Sequence, residues 1–580
     1  MPRSEPPLNG LLTRSSLPRR FFRLEKSLSS QSLNETPAMI HDRLYLALHR
    51  ASLAALLVFL LAGCSYSPPE GRPDPTPEIP GSDAGHDADD PDTDDPGEPD
   101  AVLDPEISDP TDGPRLIETG DEGFLLRGIV LQQDQILDPG EILVIGDLIT
   151  CVATDCSDDA QDLELTIIET DGVISPGLID AHNHVTYNFL PPWIPSPEGY
   201  FGNRYEWMDN YHYRAHVAPF ADNRSTGTHF CPAAKWGELR SLLHGTTTIQ
   251  GQSQMQRCIR GMVRNADNAY HHLQHNHMRT TIASPRDITD DQAQNYIQSF
   301  EAETNPTTRL AIHMAEGHTG NHIEHEFESF AGRDHRPNRH QGISLLDWGT
   351  AILIHSIALT HVQLEEIFLT HSMIVWSPSS NLALYGQTAP IEAILQSEIL
   401  TGLGPDWTVS GAADMLAEMR VAYQYGRDND IELLTARRIW DMATWEGAIV
   451  VGLDEFIGRL EPGMIADITI FGRDAEDPYY AVLESRAWDI ELVMIGGDAY
   501  YGHENLATVG RNDFCEDFDA CGRATFVCAM EGPDADDRGD ETVDDTRQQL
   551  LAILDGLPDA PEDQQYDRAD ELLDLVLCDL

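Results

Sequence analysis

The chain has 580 residues, enough for one large core with flanking modules, and 97 Asp+Glu against 37 Lys+Arg give it a formal charge of −60. So acidic a surface repels phosphate backbones and anionic lipid faces, which argues against nucleic acid as a partner and against electrostatic docking on membranes. Acidity accounts for solubility and says nothing of chemistry.

Segment 51–63 is uncharged and largely apolar, follows Arg43 and Arg50, and runs into Leu61-Ala62-Gly63-Cys64. At 13 residues it is too short to span a bilayer comfortably. The ending resembles the lipobox of bacterial lipoprotein signal peptides. That resemblance implies cleavage before Cys64, lipidation of Cys64, and, with Ser65 rather than Asp next, an exported lipoprotein held at the outer membrane. Met39 is a candidate start, because residues 1–38 make a long lead.

Residues 64–115 are rich in Pro, Asp, Glu and Gly, as in Asp87-Ala88-Asp89-Asp90-Pro91-Asp92, and hold almost no large apolar side chains. They cannot bury enough surface to offset ordering entropy and read as a disordered tether. The acids do not follow the spacing of a calcium loop.

Across 116–171, β-rich runs such as Ile129-Val130-Leu131 and Ile142-Leu143-Val144-Ile145 alternate with Gly- and Asp-rich turns, and the texture returns within 446–506 at Ile465–Phe471 and Ile490–Ile495. The two flanks are expected to build one small β-sandwich. Between them, in 172–445, apolar runs at Val173–Ile179, Thr246–Ile249, Met278–Ala283, Leu310–Met314, Ala351–Ile354, Met373–Trp376 and Leu400–Leu403 alternate with helical stretches. Gly261-Met262-Val263 is a weak eighth candidate. The pattern predicts an α/β fold, a distorted (β/α)8 TIM barrel whose active face lies at the C-terminal strand ends.

The tail, 507–580, is an acidic, cysteine-bearing appendage in which Leu550, Ile553, Leu554 and Leu557 keep helical spacing. Nine cysteines less Cys64 leave an even set for an oxidising compartment, and disulfides are expected. Cys151 and Cys156 are close in sequence, Cys231 and Cys258 share one stretch, and pairing among Cys515, Cys521, Cys528 and Cys578 stays open.

Val173–Ala181 closes on His182-Asn183-His184. Residues i and i+2 of a strand share a face, so the two imidazoles converge as metal ligands do. His313, His355 and Asp406 also end predicted strands.

Pro176-Gly177-Leu178-Ile179-Asp180-Ala181-His182-Asn183-His184 resembles the first strand of the amidohydrolase superfamily. In the same order, Gly245-Thr246-Thr247-Thr248 resembles its second strand, His313-Met314-Ala315-Glu316 its fifth and Ile354-His355-Ser356 its sixth. Ser377-Pro378-Ser379-Ser380-Asn381 resembles the seventh, Gly404-Pro405-Asp406 the eighth, and Ile457–Asp467 the return to the small sheet. The pattern, covering roughly 120–506, is most similar to the cytosine, guanine and triazine deaminase branch. The resemblance implies one divalent metal, Zn2+ or Fe2+, on His182, His184, His313 and Asp406, with Glu316 and His355 beside it. Lysine, which occurs only at Lys26 and Lys235, leaves no carbamate bridge for a second metal near the fourth strand.

A metal so held lowers the pKa of bound water from ~15.7 toward ~7. Asp406 is then expected to take the water's proton, Glu316 to carry a proton to the ring nitrogen or leaving group, and His355 to donate a hydrogen bond to the developing oxyanion or polarise the scissile carbon. The implied reaction is hydrolysis of a non-peptide C–N bond in a small molecule, by deamination or amide opening. C–Cl or ester hydrolysis at the same site is the alternative. A non-catalytic surface binding lipoprotein is disfavoured because the whole constellation is present.

Expected substrate contacts are Asn381, Tyr385, Trp407 and Trp193, with Tyr187, Tyr205 and Trp207 on the same loop as Trp193, and Gln252 and Gln254 as weaker candidates. Gly404-Pro405-Asp406-Trp407 departs from the branch's commoner Gly-Thr-Asp-Gly. His275-Asn276-His277 precedes its strand, and His322-Ile323-Glu324-His325-Glu326 lacks ligand spacing and reads as a solvated helix face.

Overall fold

The computed structural model describes residues 113–556, except 193–198, 211–212, 215–216, 223–229, 252–261, 269–272, 274–277, 282–283, 319, 474–475 and 537, together with 572–578. All lie in one compact unit, Asp100–Leu580. The leader with Cys64, the tether up to residue 112, Trp193, Cys258, Gln252, Gln254 and His275–His277 fall outside the described residues. Among those described, no helix is long and apolar enough to cross a membrane.

The flanking β-rich runs pair into one ten-stranded mixed sheet. Strand Thr166–Pro176 lies parallel to Phe124–Leu131 and antiparallel to Ile468–Phe471, with Ile174 opposite Ile470, so the two ends of the chain meet at the sheet's centre. Leu126, Val130, Ile142, Ile174, Ile468 and Ile470 turn inward to a shared apolar core. The sheet continues past residue 506, because Asp498–His503 pairs with Arg523–Val527, which pairs in turn with Glu516–Ala520. The tail is thus not wholly a separate appendage, and Cys515–Cys528 closes the open end of its hairpin.

The chain leaves this sheet at Gly177. Val173–Pro176 stays paired with Ile468–Phe471 and does not join the central strands as expected, where β1 comprises only Leu178–Asp180. A Cβ on Gly177 would stand 2.2 Å from Thr247 Cγ2, so only glycine lets the crossing pass so close to the next strand.

Seven further parallel strands follow: β2 (Thr246–Ile249), β3 (Arg264–Asn265), β4 (Met278–Thr281), β5 (Arg309–Met314), β6 (Ala351–His355), β7 (Met373–Trp376) and β8 (Thr401–Leu403). β1–β3 form one sheet and β4–β8 another. Ala181 N donates to Leu403 O at 3.0 Å and Asp406 N to His182 O at 3.1 Å, which ties β1 to β8. β5, β6 and β7 are largely apolar along their length, as parallel strands covered on both faces are, whereas β2 carries three buried threonines and β4 carries Arg279 and two threonines. β3 lies just past the expected 261–263. It carries the buried Arg264, ion-paired with Asp467 of the return segment, in place of an apolar run.

Cys151–Cys156, Cys515–Cys528 and Cys521–Cys578 are disulfides, and Cys231 is also disulfide-bonded. Helix Val543–Asp555 buries Leu550 and Leu554, as its spacing predicts. The tail docks on helix Phe230–Leu243. Lys235 Nζ donates to Arg538 O at 2.8 Å, Trp236 Nε1 to Leu573 O at 3.0 Å, and the Arg240 guanidinium to the carbonyls of Leu573, Asp574 and Leu575.

Candidate active site

At the C-terminal ends of β1, β5, β6 and β8, one ligand atom from each of His182, His313, His355 and Asp406 falls within 4.8 Å of the others. All four side chains are buried. His184 stands beside them, its Nε2 3.3 Å from Asp406 Oδ1, its ring 5.0 Å from that of His182 and 5.4 Å from that of His313. The tightest group therefore includes His355 where the sequence implied His184, with His184 at its rim.

Hydrogen bonds decide which atoms face the centre. Gln250 Nε2 donates to Thr280 Oγ1 at 2.7 Å and Asp267 Oδ2 at 3.2 Å, which turns Oε1 toward His182 Nδ1 at 3.2 Å. His182 therefore carries its proton on Nδ1 and presents a bare Nε2. Asn381 Nδ2 donates to Thr388 Oγ1, and its Oδ1 accepts from His355 Nδ1 at 2.9 Å, so His355 also presents a bare Nε2, an acceptor rather than the donor expected from sequence. Ser380 Oγ donates to Asp406 Oδ2 at 2.7 Å and accepts in turn from Ser410, which accepts from Trp407 Nε1. Asp406 Oδ1 is left facing the imidazoles.

Asp406 Oδ1 and His182 Nε2 are 3.2 Å apart, two acceptors turned on each other. Neither has a hydrogen-bond partner, nor do His313 Nδ1, His355 Nε2 and Glu316 Oε2, all buried. Buried polar atoms are normally satisfied, and lone pairs gathered this closely call for a cation among them. The donor set, imidazole nitrogens and a carboxylate, fits zinc or ferrous iron.

The electrostatics agree. Burial lowers the pKa of His184 to about 3 and that of His313 well below the usual imidazole value, with the Asp406 charge opposing at His184 and neighbouring cations adding at His313. Burial alone would raise Asp406, but the surrounding imidazoles hold it well below the usual carboxylate range. The centre thus holds an ionised carboxylate beside His184, His313 and His355, which burial keeps neutral, whereas at His182 burial is outweighed by the Asp406 charge and the Gln250 contact, which raise the pKa. His355 and Asp406 also sit at positive φ (68° and 71°), a strained backbone of the kind that clusters at functional sites.

A cleft of about 100 Å3 opens over this centre, and its walls include Tyr187, Trp207, Trp407, Arg204 and Glu316. Of the residues expected to touch substrate, Trp407, Tyr187 and Trp207 line the cleft. Asn381 and Tyr385 stand one layer behind, where Asn381 orients His355 and the Tyr385 hydroxyl donates to Glu316 Oε1 at 2.7 Å while accepting from Trp207 Nε1. Tyr205 is turned to Ser284 and Glu326. Glu326 corrects the reading of 322–326 as a solvated face, for it is buried and accepts from Ala315 N at 2.6 Å and Tyr205 Oη at 2.7 Å. Burial pushes its pKa up to about 7.

Sequence reasoning misses Arg204, Gln250 and Ser380. Ser380 lies inside the motif of the seventh strand, whereas Gln250 follows β2 with no signal beyond its place at a strand end.

The family model described as Amidohydrolase family matches residues 173–499, more than half of the chain. A 5-methylthioadenosine/S-adenosylhomocysteine deaminase of Desulfitobacterium hafniense (strain DSM 10664 / DCB-2) is 24% identical over 444 residues, 68% of this chain and 96% of that protein. Among solved structures, E. coli guanine deaminase aligns with a TM-score of 0.50 at 16% identity, over 65% of this chain and 99% of that one, a likeness of fold. An atrazine chlorohydrolase from Arthrobacter aurescens TC1, complexed with zinc, aligns with a TM-score of 0.47 at 19% identity, over 65% and 95%. The chain belongs to the amidohydrolase family and is a hydrolase of carbon–nitrogen bonds other than peptide bonds.

Proposed function

We propose that the protein deaminates a small, planar, nitrogen-containing ring by hydrolysis at a single divalent metal held by His182, His184, His313 and Asp406. The observation that carries this reading is the set of unpartnered acceptor atoms converging on one point beneath an aromatic cleft. The deaminase relative, matched over 68% of this chain, supports a ring amine as substrate. The eight parallel strands are read as the distorted (β/α)8 barrel, and the ten-stranded sheet around its apolar core as the small β-sandwich.

When bound, the metal supplies a water acidic enough to attack at neutral pH. The Asp406 carboxylate, fixed through Oδ2 by Ser380, is placed to accept that water's proton. His355 Nε2, 3.8 Å from Glu316 Oε2, accepts a hydrogen bond from the same water and so orients it. Glu316, pinned through Oε1 by Tyr385, uses Oε2 to take the water's second proton to the ring nitrogen, and the proton held by Asp406 leaves with the departing amine as ammonia. Tyr187, Trp207 and Trp407 offer flat faces to a ring and exclude water from it.

Zinc-loaded protein is expected to release ammonia from at least one aminated heterocycle, and Glu316→Gln and His182→Ala to abolish that release. Chloride or alcohol release without ammonia, across ring substrates bearing both groups, would reject deamination. We further propose export with lipid attachment at Cys64, a reading supported by the leader sequence and by the cystines of the folded part, which suit an oxidising compartment. Labelling with a radioactive fatty acid, lost in Cys64→Ala, tests it.

A further inference from the structure

Arg204 begins the short helix Arg204–Asp209 and is fixed from its backbone. Its N donates to Glu316 O at 3.1 Å, His318 N donates to Gly202 O at 2.8 Å, and Asn203 bridges to Gly317. Gly317 makes this approach possible, for at φ +126° a Cβ there would stand 2.4 Å from Asn203 Cα. The Arg204 side chain then lies along the cleft wall, only 7% exposed, with Nε 3.4 Å from Glu316 Oε2. Even so, neither Nε nor Nη1 has a hydrogen-bond partner. A guanidinium withdrawn from water and left short of acceptors is costly, and such a group in a cleft wall is completed when a ligand brings the acceptors.

We propose that Arg204 recognises an anionic group on the substrate, and that the substrate is a planar ring carrying a carboxylate close to the C–N bond to be broken. This rests on the reading of the cleft as a C–N hydrolase centre. The guanidinium fork matches two carboxylate oxygens, which a neutral amide or hydroxyl does not do. Arg204 is the only Lys or Arg among the described lining residues, so the cleft has one place for an anion besides the metal centre. That place is near the chemistry, because Glu316 Oε2 beside Arg204 is also 3.8 Å from His355 Nε2. Around it the net charge of −60 repels anions, so selection for one must come from a local contact of this kind.

The test compares pyridine-3-carboxylate with its neutral amide, titrated against the zinc-loaded protein and read by quenching of tryptophan fluorescence, since Trp207 and Trp407 line the cleft. The carboxylate is expected to bind roughly ten- to a hundredfold more tightly. Arg204→Gln should remove that preference with zinc content unchanged, and the double variant Arg204→Gln/Glu316→Gln should not restore it. Absence of a preference in the unsubstituted protein, including no binding of either ring, overturns the proposal. So does a preference that survives Arg204→Gln, which would place the carboxylate elsewhere. A preference that returns in the double variant also overturns it, because Arg204 would then act only by neutralising Glu316. If Arg204→Gln does not fold, Arg204→Lys serves, and an undiminished preference there overturns the proposal equally. Ammonia release that ignores a carboxylate on the ring removes this proposal and leaves the hydrolase, whereas a carboxylate preference in a protein that releases nothing does the reverse.

Discussion

Gln250 Oε1 lies 3.2 Å from His182 Nδ1, and it points there because Thr280 and Asp267 hold the other end of the amide. This one contact fixes the His182 tautomer and leaves Nε2 bare for a metal. Gln250→Leu keeps the volume and removes the acceptor, so metal affinity is expected to fall roughly 10- to 100-fold with the fold retained. Competition with a chromophoric chelator measures it, and unchanged affinity would mean that the tautomer is set by another contact.

Asn381 does for His355 what Gln250 does for His182, but with a different consequence. In the proposed mechanism His355 orients the attacking water, so Asn381→Leu should lower kcat by about tenfold or more while metal content and KM stay near their starting values. Parallel loss of metal and activity would make His355 a ligand and His184 a bystander. The two variants together assign the rim and the centre of the imidazole cluster.

The main features of the centre are legible in the chain because a strand end leaves a local pattern. His182-Asn183-His184 share a face by period alone, and His313, His355 and Asp406 each close an apolar run. What supports them leaves almost no trace. Gln250 reaches His182 across 68 positions and Glu326 reaches Ala315 from a helix, contacts made only by the closed fold. Apolar periodicity misplaces β3 for a related reason, since Arg264 is buried by pairing with Asp467, 203 residues away, and the pattern is silent about such a pair. It also ends the small sheet too early, because Glu516–Ala520 alternates acidic with apolar residues and reads as solvent-facing, although its partner strand joins Asp498–His503.

The tail reaches the cleft indirectly. Leu573 N donates to Phe189 O at 2.9 Å, Arg240 binds both Asn188 O and the tail carbonyls, and Tyr187 of the same loop lines the cleft. Cys521–Cys578 holds this strap in place. The pair Cys521→Ser/Cys578→Ser is expected to destabilise the protein by ~2–5 kcal/mol. It should also raise KM severalfold, because the loop carrying Tyr187 loses its outer support, with metal content unchanged. Thermal unfolding and steady-state kinetics on the same samples measure both, and a lowered Tm with KM unmoved would confine the strap to stability.

Glu238, in helix Phe230–Leu243, is buried, and neither carboxylate oxygen is in a well-formed hydrogen bond. Burial raises its pKa from 4.5 to about 8, against weaker opposing pulls from the Val263 N–H and the Lys235 charge. Between those two values the folded chain holds a proton that the unfolded chain has released. The associated stability is therefore complete below pH ~4.5 and is lost as pH rises toward ~8. A tenfold difference in proton affinity between the folded and unfolded chains is worth about 1.4 kcal/mol, so the loss amounts to a few kcal/mol. Glu238→Gln cannot ionise, and its stability relative to the unsubstituted protein should increase steadily from pH 5 to pH 8. Denaturant unfolding at pH 5, 6.5 and 8 measures that difference, in which the titration of the other acids cancels. A difference independent of pH would mean that Glu238 stays ionised in the fold, with the Val263 N–H or another donor closing on its carboxylate.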